Sequence, residues 1–88
     1  MKKIDYYNVA FIRKAFVNAI VPTTRLIITH LELLLYGATI NQTNKDDTSI
    51  VLHVKSPIWR KEEQFSKDFK FILQKRENNY KILDVVEL

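Results

Sequence analysis

Apolar residues recur first at helical steps. Val9, Ile12, Phe16 and Ala19 are spaced by three and four, which lines them along one stripe of a helix. Asp5 is placed to cap that helix. Pro22 disfavours helical geometry at Val21, so the helix is predicted to end near Ile20. From Pro22 to Ala38 two readings stand side by side. Pro22 suits the first turn of a second helix, Thr29-His30-Leu31-Glu32 has the spacing of a capping box, and Gly37 suits a left-handed terminator. The β-branched run Ile27-Ile28-Thr29 instead favours a long first strand.

Residues 41–47 (NQTNKDD) are predicted as a polar loop, because such side chains bond their own backbone and compete with regular structure. Beyond them the period drops to two. Ile50, Leu52 and Val54 alternate with Val51, His53 and Lys55, and Pro57 is expected to end the run. Residues 58–66 read as a charged connection with room for one helical turn. Phe69, Phe71 and Leu73 then alternate with Lys70, Ile72 and Gln74, and Arg76-Glu77-Asn78-Asn79 supplies a turn before Tyr80 to Leu88. Asn tolerates the positive φ of tight hairpins.

The predicted class is therefore α+β: an N-terminal helix or helical pair packed on one face of a three- or four-stranded antiparallel β-meander. One domain is expected over residues 1–88, helical over 5–36 and sheet over 48–88. Alternation assigns Ile50, Leu52, Val54, Phe69, Phe71, Leu73, Ile82 and Val86 to the face under the helices. The opposite face then carries Val51, Ile72, Leu83 and Val85 among His53, Lys55, Lys70, Lys81 and Glu87. A solvated face should be polar, and this one is too apolar for that.

Composition adds a constraint on stability. A chain of 88 residues has one small core and folds with a narrow margin unless disulfides, metals or oligomerisation help. There is no cysteine, so disulfides and thiolate metal sites are excluded, and His30 and His53 lack partners at ligand spacing. Oligomerisation is the aid left open. Met1-Lys2-Lys3 resembles the start of an export signal, but Asp5, Asn8, Arg13 and Lys14 interrupt the apolar run behind it. Pro22, Arg25, His30 and Glu32 likewise break the apolar stretch 19–40 as a membrane span. The expected location is cytoplasmic, and without export the Asn41-Gln42-Thr43 sequon carries no weight.

No catalytic, metal or cofactor site is expected. Asp46-Asp47 and Glu62-Glu63 are neighbouring carboxylates whose side chains point apart, and the single glycine, Gly37, cannot make a phosphate loop. The net charge is +4, and residues 55–81 hold eight bases against four acids. Lys55, Arg60, Lys61, Lys70, Lys75, Arg76 and Lys81, interleaved with aromatic residues, are candidate contacts to nucleic acid. The plainer reading, which the interspersed acids favour, is that these bases keep a small sheet soluble and its edges apart.

Residues 69–87 (FKFILQKRENNYKILDVVE) resemble the closing hairpin of cystatin-like and nuclear-transport-factor-like domains. They come nearest to the bacterial toluene-tolerance family of phospholipid carriers, through Tyr80-Lys81-Ile82, Asp84-Val85 and Glu87. The resemblance covers about a fifth of the chain. It implies a helix followed by a curved antiparallel sheet, with carriage of a lipid or other hydrophobic ligand as one function. That superfold hosts unrelated functions, so the likeness carries fold better than activity.

The reading favoured by the residues is a small non-enzymatic interaction domain that binds itself, as a homodimer, or a protein partner. The binding surface would be the outer sheet face or an edge strand, with Val51, Ile72, Leu83, Val85 and Trp59 as candidate contacts. Trp59 serves equally as an aromatic cap on the core edge.

Overall fold

A computed structural model describes residues 9–60 and 63–88, with side chains for all of these except 58–60 and 63–65. Helix α1 (Val9–Phe16) buries Ile12 and Phe16, with Val9 and Ala19 packed beside them, so the predicted stripe is the buried one. The helix ends earlier than Pro22 requires. Asn18 sits at φ 71°, a left-handed conformation that Asn accepts at a helix end. This turn leads into the two-residue strand β1 (Ile20–Val21). Asp5, the expected cap, lies outside the described residues.

Helix α2 (Thr24–Leu34) resolves the ambiguity of the second segment. Its N-cap is Thr23, in extended geometry, whose hydroxyl accepts from Leu26 N at 3.2 Å. Pro22 thus lies just ahead of the cap rather than in the first turn. Thr29 stands in mid-helix, so its spacing to Glu32 marks no helix start. Burial of Ile27, Leu31 and Leu35 outweighs the mild cost of the β-branched run. Past the helix, Gly37 has φ 83°, the left-handed region that a Cβ penalises, and an added Cβ would also meet the Pro57 ring at 3.2 Å.

The remaining strands are β2 (Thr39–Asn44), β3 (Ser49–Arg60), β4 (Glu63–Lys75) and β5 (Tyr80–Glu87). Together with β1 they form one five-stranded antiparallel sheet in the order β1-β5-β4-β3-β2. Strands β3 to β5 are the predicted meander, with its turn at 76–79 closed by Arg76 N donating to Asn79 O at 2.8 Å, and β2 adds a strand ahead of it. That four-residue turn needs no positive φ at Asn78 or Asn79.

Two segments differ from expectation. Residues 41–44, predicted as loop, belong to β2, because an edge strand is held by backbone hydrogen bonds whatever its outward side chains are. The described residues of the predicted charged connection, 58–60 and 63–66, are instead strand, and Pro57 does not end β3. Beyond Lys55 β2 has stopped, and Pro57 falls on the side of β3 where no acceptor stands, so its missing N–H costs no ladder bond.

Both helices cover one face of the sheet, and the core joins Ile12, Phe16, Ile27, Leu31 and Leu35 to Ile50, Leu52, Val54, Phe69, Phe71, Leu73, Ile82 and Val85. Phe16 meets Phe71 edge to face, with centroids 5.6 Å apart. One assignment reverses. A bulge opposite Ile72 and Leu73 pairs Leu73 with Ile82 but Ile72 with Asp84, which adds one residue to β5 and shifts the parity beyond it. Val85 therefore enters the core, fully buried, and Val86 moves to the outer face at 38% exposure.

Phe71 is fully buried at the centre of this cluster. Phe71→Ala is expected to cost roughly 3–5 kcal/mol, a large share of the stability of so small a domain. Urea denaturation followed by far-UV circular dichroism measures it, and a midpoint within experimental error of the parent's would contradict this account of the core.

Candidate interaction surfaces

The outer sheet face keeps Val51, Ile72 and Leu83, as alternation predicts, but Val86 takes the place of Val85. Val85 has left it for the core, and Val51 is only 3% exposed although it lies outside the main cluster. Its place explains this, since Val51 stands between Thr43 and Ile72 in the cross-strand row that ends at Asp84. Ile72 is half-buried, and Leu83, the extra residue of the bulge, is 42% exposed. What the outer face offers is a strip of Ile72, Leu83 and Val86 on the β5 side. Trp59 pairs with Gln64 in the β3–β4 ladder, but its side chain is outside the described residues.

The basic candidates do not gather into one patch. Lys55, Lys70 and Lys81 lie on the outer face, with Lys55 directly opposite Asp68 and Lys81 between Ile20 and Gln74. Lys75 and Arg76 are exposed where the sheet turns, at the Lys81 end and away from Lys55 and Lys70. Lys61 and the Arg60 side chain lie outside the described residues.

Two features went unread in the sequence. Leu26 and Leu33 project from the side of α2 away from Ile27 and Leu31, with Leu33 79% exposed, and Tyr36 in the turn just past the helix is 87% exposed. The seven-residue interval from Leu26 to Leu33 is the signal that could have found them. The other feature is β2 itself, whose Thr39-Ile40 start is β-branched and whose remaining residues are polar.

The two edges of the sheet are built differently. Along β5, beyond the short β1, Asn18 N donates to Ile82 O at 2.8 Å and Ile82 N donates to Ala19 O at 2.9 Å. Further on, the Arg13 guanidinium donates to Val85 O at 2.8 Å and to the Asp84 carboxylate. The bulge is what brings Asp84 to that edge, as bulges commonly re-aim a side chain. Helix α1 and its exit thus occupy outward backbone groups of β5 at Ile82 and Val85. The pair is half-exposed on both sides, so its role is to cover the edge more than to stabilise the fold.

Strand β2 has no such cover. Lys45 N donates to Ser49 O at 2.9 Å, in continuation of the register that pairs Asn44 with Ile50. Antiparallel ladders alternate, so Thr43, Asn41 and Thr39 turn their backbone groups toward β3, while Asn44, Gln42 and Ile40 turn theirs outward. Every residue of β2 except Ile40 is exposed. The strand contains no charge, proline or bulge, the devices by which natural edges usually discourage pairing.

The turn after β2 is tied down by Asp46. Its carboxylate accepts from Thr48 N at 2.8 Å, Ser49 N at 2.9 Å and the Thr48 hydroxyl at 3.0 Å. These bonds, the Thr48 backbone N–H foremost, hold the Asp46 pKa below its ordinary 3.8 because they favour the ionised form. A lowered folded-state pKa stabilises the fold above the unfolded value, and that contribution is lost as pH falls through the folded one. The Asp46 carboxyl carbon is therefore expected to titrate below pH 3.8 by NMR, with Thr48 and Ser49 amide shifts following it. A midpoint at or above the ordinary value would contradict the three-bond turn.

Among the described residues no three His, Asp or Glu side chains stand close enough to hold a metal ion, and no helix is long and apolar enough to cross a membrane. No family model matches the chain, and comparison with curated proteins and with solved structures finds no match.

Proposed function

We propose that this chain is a small non-enzymatic interaction domain that binds protein by adding a strand to the β2 edge of its sheet. The observation that carries the proposal is the contrast between the edges: β5 is closed by α1, Asn18, Ala19 and Arg13, whereas β2 exposes outward backbone donors and acceptors on an uncharged strand. An added strand gains main-chain hydrogen bonds from such an edge and draws specificity from alternate side chains. The outer-face strip of Ile72, Leu83 and Val86 is the second surface such a domain offers.

Other readings find less support. Nucleic-acid binding needs phosphate contacts on one continuous surface, and here Lys55 faces Asp68 while Lys67 pairs with Glu87 at 3.5 Å. Lipid carriage needs a cavity between helices and sheet, and that space is filled by Ile12, Leu31, Leu35, Phe69 and Phe71, all fully buried.

Gln42→Pro separates the edge from the rest of the molecule. It removes an outward N–H that strand addition requires and spares the ladder bonds to β3, which come from Thr39, Asn41 and Thr43. Protein partners retained by the immobilised chain are expected to be lost from Gln42→Pro and kept by Leu83→Lys, with both variants melting near the parent. Retention by Gln42→Pro, or loss from Leu83→Lys alone, overturns the edge reading.

A further inference from the structure

We infer that the strand added to β2 is the β2 strand of a second copy, paired antiparallel about a two-fold axis at Gln42, so that two sheets become one. This inference rests on β2 being the interaction edge and names its occupant.

Backbone geometry selects the register. A two-fold axis perpendicular to the sheet sets each residue opposite one whose number gives a constant even sum, so the centre must fall on a single residue. Centred on Gln42, the pairing sets Gln42 against Gln42 and Ile40 against Asn44 of the second copy. Every outward-facing residue of both strands is then in a hydrogen-bonded pair. A shift by one residue toward either end replaces one of these pairs with Ala38 or Asp46, whose N–H groups already donate to Leu35 O at 2.8 Å and Ser49 O at 3.4 Å. The centred register alone leaves no outward group idle and disturbs no existing bond.

Side chains and charge agree with that register. The strand is neutral along its whole length, so nothing repels its own copy across the axis. On the same face as Ile40, the Gln42 amide donates to Asn44 Oδ1 at 3.1 Å, which leaves the Gln42 carbonyl and the Asn44 amide group open to solvent. The two-fold brings a second such pair alongside, and the four amides can continue one another as a ladder. At each end the turn of one copy, with Lys45 against Asp46 and Asp47, carries a net single negative charge. It falls beside Thr39 of the other copy, whose neighbour on β3 is Lys55. A short polar edge makes a small interface, so the dimer is expected to depend on concentration, in the micromolar range or weaker.

The absence of cysteine makes the register directly testable. Asn41 faces Thr43 of the second copy as a non-hydrogen-bonded pair, with Cα atoms about 4.5 Å apart, within disulfide reach. Under mild oxidation an equal mixture of the Asn41→Cys and Thr43→Cys variants is expected to give a disulfide-linked heterodimer, at least fivefold more than either variant alone. Adding Gln42→Pro to both should abolish it. Sedimentation velocity of the unmodified chain should show a monomer–dimer equilibrium that Gln42→Pro shifts to monomer. Equal yields from the single variants, or a dimer that survives Gln42→Pro, would overturn the register and with it the pairing through β2. A chain that stays monomeric but still loses foreign partners on Gln42→Pro would overturn self-pairing and leave the edge reading standing. Monomer together with no proline-sensitive partner would end both.

Discussion

Burial of Phe69 and Phe71 in the middle of β4, against Phe16 from one helix and among Ile12, Leu31 and Leu35, is the constraint from which the remaining structure follows. A sheet covered on one face must send its apolar residues to that face on every strand, and a slip of one residue would turn a whole strand over. Ile50, Leu52 and Val54 on β3 obey this without adjustment. On β5, Ile82 and Val85 are three apart and cannot both reach the core by simple alternation, so the strand carries a bulge between them. The irregularity is a consequence of what must be buried.

That local adjustment reaches the sheet margin. The added residue puts Asp84 at the free side of β5, where Arg13 from α1 meets both its carboxylate and Val85 O. The left-handed turn at Asn18 then lets the chain run beside β5, with Asn18 and Ala19 bonded to Ile82, before β1 pairs with Tyr80 and Lys81. Helix packing, bulge and edge closure form one connected device. At the far margin β2 is placed by its pairing with β3 and by Ile40 against the core, with nothing among the described residues bonded along its outward side. The molecule thus has one sheet edge largely covered within the chain and one whose outward hydrogen-bonding groups are left to the surroundings.

Much of this was legible because it depends on period. The stripe Val9-Ile12-Phe16-Ala19, the alternation in 50–55 and 69–74, and the turn at 76–79 each state a local preference that burial then reinforces. Other features were hidden because local preference and final environment disagree. Residues 41–44 have loop-like side chains, yet backbone pairing alone makes them strand. Pro57 has the character of a terminator, yet it sits where β3 has no neighbour on the side its N–H would face. Thr29 and Glu32 have capping-box spacing, yet Thr23 caps the helix. Of the candidate contacts, Ile72 and Leu83 lie on the outer face as expected, whereas Val51 is shielded within its cross-strand row and Val85 has crossed to the core.

By itself the sequence determined the class of the fold, the helical and strand periods, most of the core and the lack of covalent staples, because these rest on residue type and spacing. Only the tertiary structure decided which of Val85 and Val86 is buried, which sheet edge is closed, and that the polar stretch after Ile40 is an open strand. Those outcomes turn on which backbone groups find partners across the sheet, and every non-proline residue carries the same donor and acceptor.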